Sequence, residues 1–536
     1  MARTELSLIF FLLLLSSYPH SFSALDRFDA RAETFSFSST LVSTIRSTLD
    51  EIEKVLSILS SIPGPIFGDD RRVSSAIQDC VDLLSLSSDE LDWTLSSSSP
   101  ATTTTQSAGA TRKLSLGTGH QHYDLRSWLS AALGNQDTCA ESFDGTDGIV
   151  KNLVVGSLGT VTSLIYQVLS QIPDVQAGGE NSGGISRKLL DLSGFPTWMG
   201  PADRRLLQAP ASSLKPDAVV AADGSGGYTT VGAAVEAVPL QSTKRFVIYV
   251  KRGVYKENVE IKKKKWNVVL VGDGMGATIV SGSRNFVDGW TTFRSATLAV
   301  AGKGFIARDL TIENTAGPSK HQAVALRSDS DLSAYFRVET AGYQDTLYAH
   351  SLRQFYRECR ISGTVDFIFG NAAAVIQSST IIARRPLPAQ KNSVTAQGRK
   401  YADQNTGFSI HGCNITVEGA EASASAANGT AATAPTYLGR PWKEFSRTVV
   451  MHSYLGSGIR PEGWLEWSGN FALNTLYYGE YMNYGPCSGL GGRVKWPGFH
   501  AITSPAVANK FSVAMFIDGN QWLPETGVRY TAGLSL

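Results

Sequence analysis

A recurrence of twenty-odd residues limits the fold of this chain more than any other feature. Asp345 and Asp366 stand 21 residues apart in GYQDTLYAHSLRQFYRECRISGTVDFIFG (342–370). Gln322, in the upstream segment HQAVALR, and Gln344 stand 22 apart. A strand-turn unit repeating at this interval is the signature of a solenoid or parallel β-helix. Residues one period apart then occupy adjacent rungs, about 4.8 Å from each other across the ladder. Two glutamines and two aspartates spread over 45 positions thereby converge on one patch of sheet.

The rest of the back half agrees with that reading. Short β runs at Arg245–Val250, Asn267–Val271, Thr278–Ser281, Thr297–Val300 and Phe305–Ile312 are separated by glycine-rich turns. No regular helix alternates with them, so a doubly wound sheet fits poorly. The front half has a different period. Apolar residues at Leu41, Ile45, Leu49, Ile52, Leu56 and Leu59 fall at helical spacing, and three further helices begin near Val73, Leu125 and Leu153. The expected fold class is an all-β parallel β-helix preceded by an all-α four-helix bundle. The expected divisions are a leader (1–24), the bundle (25–175), a Gly-rich linker (176–207) and the β-helix (208–536). The linker carries Arg187-Lys188-Leu189-Leu190 and Arg204-Arg205-Leu206-Leu207, exposed dibasic sequences of the kind proteases cut.

Charge is divided unequally. Residues 1–207 hold 15 Lys+Arg against 23 Asp+Glu, and residues 208–536 hold 33 against 24. An acidic front and a basic back suggest mutual attraction, or a polyanionic partner for the back half. The Lys262–Lys265 run reads most simply as a solvated strand end. Arg3, the apolar Leu6–Leu15 and the small residues at 21–24 read as a secretory signal, too short for a membrane span. No later stretch is read as a span. Sequons at Asn414 and Asn428 fit an exported glycoprotein. Of five cysteines, Cys80 and Cys139 can pair in an oxidising compartment, and at least one of Cys359, Cys413 and Cys487 stays free or pairs between chains. Without CxxC or HExxH, structural zinc and a zinc hydrolase are disfavoured.

The chemistry rests on the paired acids. Carboxylates on neighbouring rungs can divide labour, one ionised and the other held neutral as an acid. Gln322 and Gln344 can donate side-chain N–H to a developing oxyanion. Arg440, in LGRPW (438–442), offers a bidentate fork able to hold Asp366 ionised and oriented, with a plain surface arginine the competing and, on this feature alone, the favoured reading. Tyr348, Phe369, Trp442 and Trp464 are candidate walls of a sugar-binding groove, with core packing the competing reading for each.

These residues resemble the plant pectin methylesterases (pectinesterases). GVYKE (253–257), QAVALR (322–327), GYQDTLY (342–348), GTVDFIFG (363–370) and LGRPW run in that family's order. The resemblance implies a right-handed parallel β-helix and a secreted, cell-wall carboxylesterase acting on the C6 methyl esters of galacturonate in pectin. It implies Asp366 as nucleophile, Asp345 as proton donor and then base, Gln322 and Gln344 as oxyanion donors, and Arg440 orienting Asp366. It implies no metal or cofactor and no nucleic acid partner. The front half resembles the family's inhibitor-like pro-region through WLSAAL (128–133) and NQDTC (135–139). Pectin, the chain's own pro-region or separate inhibitor proteins, and a subtilisin-like protease cutting at Arg204–Leu207 are the implied partners. Two departures stand out. The hairpin cysteine pair usual before Cys80 is absent, leaving only the Cys80–Cys139 bridge. Ser379 occupies the place of a cysteine that would pair with Cys359. The rival readings are another β-helix pectin-active enzyme (a lyase or glycosidase) and a non-catalytic wall-binding or inhibitor protein.

Overall fold

The computed structural model describes residues 35–61, 70–98, 116–146, 149–173, 215–420 and 434–535. The leader 1–24, both dibasic sequences and the sequon at Asn428 lie outside them, whereas Asn414 is exposed at the start of a strand.

Helical spacing in the front half produces four helices, α1 (Ser39–Ser61), α2 (Arg71–Ser98), α3 (Gln121–Glu141) and α4 (Ile149–Leu169). The stripe Leu41, Ile45, Ile52, Val55 and Leu59 turns inward along α1, as a 3.6-residue period requires. Helix α3 is buried along nearly its whole length, polar residues included, because one side meets the bundle and the other meets the β-helix. A Cys80–Cys139 disulfide ties α2 to α3, while Cys359, Cys413 and Cys487 are free thiols. Cys359 lies beside Ser379, whose Oγ accepts its backbone N–H at 3.0 Å. The expectation that no later stretch is long and apolar enough to span a membrane needs correcting, since Val150–Leu169 passes that test. Here Val154, Leu158, Val161, Ile165 and Leu169 of that helix are buried against α1 and α3.

From Ala218 onward the chain coils as a parallel β-helix. One wall is a seven-stranded parallel sheet in which Leu298–Val300, Leu326–Ser328, Leu347–Ala349, Ile368–Gly370 and Asn392–Gln397 are successive neighbours. In-register stacking sends alternate columns to opposite faces. Leu298, Leu326, Leu347 and Ile368 stack into the core, fully buried. The next residue of each strand, Ala299, Arg327, Tyr348 and Phe369, forms the outward column. The rungs are unequal. Leu326 pairs with Leu347 and Leu347 with Ile368, each a step of 21 residues, but Ile368 pairs with Thr395 and Thr395 with Gly439 across much longer turns.

The other walls meet at a sharp corner. Asp309, Arg337, Glu358, Ser378, Gly412, His452 and Met482 stack there, one per rung, and every one has positive φ. Only one of the seven is glycine, so the ladder holds ordinary residues in a backbone region they seldom visit.

Residues Ser36–Leu536 form one compact unit, and the acidic bundle meets the basic β-helix directly. Asp79 and Asp82 pair with Arg294, Asp89 with Lys263, Asp124 with Arg353, Asp137 with Lys400 and Glu141 with Lys443. The reading of Lys262–Lys265 as a solvated strand end fails for two of its members. Lys263 Nζ bonds Ser85 of α2 as well as Asp89. Lys265 is buried, its Nζ donating to the carbonyls of Glu236 and Val238 at 2.7 Å. An ammonium can leave water when fixed carbonyl dipoles replace its hydration.

Candidate active site

The two acids occupy equivalent places on neighbouring rungs. Asp345 lies two residues before the strand Leu347–Ala349 and Asp366 two before Ile368–Gly370, and Leu347 pairs with Ile368. They therefore sit on turns at the edge of the sheet, and the ladder sets them one rung apart. The rungs are locked there by Asp345 N–H donating to Val365 O at 3.1 Å and Leu347 N–H to Phe367 O at 2.8 Å. Both aspartates have positive φ, +62° and +52°, a conformation that Asp tolerates better than most residues.

Their surroundings differ. Arg440 grips Asp366 with both arms of its guanidinium, Nε to Oδ1 at 2.8 Å and Nη2 to Oδ2 at 2.6 Å. Burial pushes the Asp366 carboxyl above its usual range, and the Arg440 bonds and charge pull it back. Among the described residues Asp345 has no such partner. Burial and then the negative charge of Asp366 hold its carboxyl well above the usual range, opposed only by the more distant Arg440 charge. Of the pair, Asp366 is the more readily ionised and Asp345 the more readily kept neutral, an asymmetry that lets two carboxyls differ in role.

Gln322, Gln344, Asp345, Asp366 and Arg440 all line one cleft of about 450 Å³. The glutamines are not partners in the ladder, as their 22-residue separation against a 21-residue rung requires. Ala323 N–H bonds Gln344 O at 3.2 Å, and Gln322 O accepts from Phe286 N–H at 2.9 Å. Gln322 thus reaches the cleft from a neighbouring loop. Tyr348 and Phe369 stack at 4.1 Å between ring centroids, and Trp442 stands edge-on to Phe369 at 5.8 Å. All three line the cleft.

The fourth expected aromatic is misplaced. Trp464 is 1% exposed, stacked on Tyr478 at 4.2 Å with its Nε1 donating to Glu480, so it belongs to the core. Trp467 lines the cleft instead, under the Arg440 guanidinium at 4.4 Å. Its 36% exposure sets it apart from Trp464, but nothing in the bare sequence separates two tryptophans three residues apart in an irregular loop.

The bundle forms the opposite wall. Arg72, Thr138, Glu141, Ser142 and Asp144 line the same cleft as the two acids. Thr138 Oγ1 lies 2.9 Å from His350 Nε2, and Trp128 Nε1 donates to Asp331 at 3.1 Å. His350 is held in turn by Asp329 at 2.5 Å and stands edge-on to Tyr348. The end of α3 thus packs beside Tyr348 of the cleft.

Comparison with known proteins agrees on both halves. Residues 217–520 match the family described as pectinesterase, and residues 15–170 match the plant invertase/pectin methylesterase inhibitor family. A pectinesterase/pectinesterase inhibitor of Prunus persica is 55% identical over 94% of this chain and 91% of its own length. Pectinesterase 1 of Citrus sinensis is 50% identical over 77% of this chain and 70% of its own. Among solved structures, pectin methylesterase from carrot is 53% identical, with a TM-score of 0.58. The match covers 60% of this chain and 99% of the carrot chain.

Proposed function

This chain belongs to the pectinesterase family, with an inhibitor-family region ahead of the enzyme, and from that premise we propose how its residues hydrolyse pectin methyl esters. The ionised Asp366 attacks the C6 carbonyl carbon of a methyl galacturonate. The resulting oxyanion accepts N–H bonds from Gln322 and Gln344, which strengthen as its charge develops. As the tetrahedral intermediate collapses, Asp345 gives its proton to the departing methoxy oxygen and methanol leaves. The sugar remains as a mixed anhydride with Asp366. Asp345, now a carboxylate, takes a proton from water, which attacks the acyl carbon. Asp366 is released as an anion to Arg440, and the product is the free acid. The observation that carries this assignment is the unequal pair: two buried acids one rung apart, of which, among the described residues, only Asp366 has an arginine fork.

The bundle keeps the precursor latent, because its residues occupy the wall through which a polymer would enter. A subtilisin-like cut at Arg204–Leu207 frees the enzyme half, and the signal-like N-terminus and Asn414 sequon fit export to the cell wall. The basic charge of the freed half suits a substrate that grows more anionic as it reacts. The deciding measurement is methanol release from esterified pectin by purified 208–536, with and without added 25–175. Release without shortening of the polymer, suppressed by 25–175, is the expected result. Depolymerisation, or no methanol at all, would instead favour the lyase, glycosidase or non-catalytic readings.

A further inference from the structure

The two acids reach the cleft on turns, and those turns are held in different ways. Asp366 is fixed at its carboxylate by the Arg440 fork. Among the described residues the Asp345 carboxyl has no hydrogen-bond partner, so its place depends on the backbone that carries it. That backbone keeps Asp345 at φ +62°, where a non-glycine residue stays only while its surroundings hold it. Three successive carbonyls of the turn are pinned from outside or across it. Gln344 O accepts from Ala323 N–H at 3.2 Å, and Tyr343 O from Thr364 N–H at 2.9 Å and Thr346 Oγ1 at 3.1 Å. Gly342 O accepts from Arg384 Nη1 at 2.9 Å.

Arg384 directly follows the strand Thr380–Ala383, which pairs with Arg360–Gly363, the strand that leads into the Asp366 turn. Its backbone N–H donates to Gly363 O at 2.7 Å. Its side chain reaches one rung further, where Nη2 donates to the Tyr343 hydroxyl at 3.1 Å and the guanidinium carbon lies 4.1 Å from the centre of that ring. One residue thus touches both turns. The turns are also packed against each other, since a Cβ on Gly363 would fall 2.7 Å from Tyr343 O and 2.6 Å from Thr346 Oγ1. At its base the clamp is anchored by the fully buried Asn392, whose Nδ2 donates to Arg384 O at 2.9 Å. Arg384 is not a lining residue of the cleft. The charges that bear on the Asp345 carboxyl are those of Asp366 and Arg440, so Arg384 acts on it through geometry.

We propose that Arg384 is a positioning residue of the esterase: its guanidinium and main chain clamp the Asp345 turn to the Asp366 turn and so hold the proton donor beside the nucleophile. The inference rests on the esterase reading above. Without the clamp the turn at Asp345 relaxes, and its carboxyl moves toward water and away from Asp366. Both causes that keep it neutral then weaken. The basic limb of kcat/KM, where Asp345 loses its proton, moves to lower pH. Removing a cation that acted by its charge would do the reverse, because a lost positive charge raises a carboxyl.

The test uses the 208–536 fragment. The match to carrot pectin methylesterase spans 99% of that chain and 60% of this one, so the enzyme part folds without a bundle. Methanol release from esterified pectin is measured across pH, with thermal melting, for the unsubstituted fragment, Arg384→Gln, Arg384→Lys and Arg385→Gln. Arg385, exposed and next in sequence, bonds Glu418 through its backbone instead and serves as the charge control. Arg384→Gln is expected to lower kcat about 10- to 100-fold with KM little changed, and to move the basic limb down by about 1 pH unit. Arg384→Lys, with the charge but no fork, should fall between, and Arg385→Gln should match the parent. A basic limb that stays in place or moves up in Arg384→Gln overturns the proposal even if the melting temperature falls, as does an equal shift in Arg385→Gln. Should Arg384→Gln fail to fold, Arg384→Lys decides: a lowered limb supports the clamp and parental values overturn it. Silence of the unsubstituted fragment would instead overturn the esterase reading, so the two failures are told apart.

Discussion

Replacing Arg440 with glutamine should move the pH dependence of the enzyme, not only its rate. The substitution removes two charge-assisted bonds to Asp366, at 2.8 and 2.6 Å. Hydrogen bonds to charged groups contribute about 1.5–3 kcal/mol each. The Arg440 side chain is about a quarter exposed, and glutamine can return one neutral bond. A loss of about 3 kcal/mol of preference for the anion is therefore expected, or about 2 pH units at 1.36 kcal/mol per unit. The sign follows from the two opposing effects at Asp366. Burial raises its carboxyl and Arg440 lowers it, so without Arg440 the neutral, non-nucleophilic form persists to higher pH. The acid limb of the kcat/KM profile, which reports groups of the free enzyme, should shift upward by that amount. Arg440→Lys, with the charge but not the fork, should fall between. The assay is methanol release across pH by 208–536. A uniform drop in rate with the acid limb unmoved would refute the argument that Arg440 keeps Asp366 ionised.

Three further outcomes are expected. Asp345→Asn, which keeps side-chain shape and the tolerance for positive φ, should lower turnover by about 10²–10⁴ through lost proton transfer; a rate near that of the parent in methanol release would remove Asp345 from the acid role. Burial pushes Asp79 up to about 6 and raises Asp137 and Glu141. Relative to ordinary exposed carboxyls, the docked state therefore binds more protons, and inhibition of 208–536 by added 25–175 should tighten as pH falls from about 7 to about 5. Inhibition constants that weaken over that range would contradict it. Ser379→Cys puts a thiol one rung from both Cys359 and Cys413. Titration of the denatured, unreduced chain should then find two free thiols where four would otherwise be counted, and four would mean that the rungs hold the sulfurs apart.

Much of this was legible in the residues, for identifiable reasons. The 21-residue interval shows because the two rungs carrying Asp345 and Asp366 have the tightest turns on that wall, and the longer loops after Ile368 and Thr395 hide the same ladder elsewhere. The acidic front and basic back anticipated an attraction that the structure resolves into named pairs. The fork from Arg440 to Asp366 could be guessed from residue type, but not from its separation of 74 positions. What was hidden depends on direction in space. Trp464 and Trp467 differ only in which way an irregular loop turns them, and Lys263 and Lys265 only in what the bundle and a short helix place over them. The corner from Asp309 to Met482 holds one glycine among its seven residues because its bend is imposed by stacking and not by local preference.

The unequal turns of the β-helix separate two kinds of freedom. Backbone pairing from one layer to the next fixes where Asp345 and Asp366 stand, whatever length of chain bulges out between layers. An insertion in the long excursion before Asn392 would lengthen a turn without displacing a reacting atom. One added residue between Asp345 and Asp366 would have no slack to absorb it. A coil of this build can be refitted to a differently decorated polymer at its edges, while its two shortest coils leave almost nothing to vary.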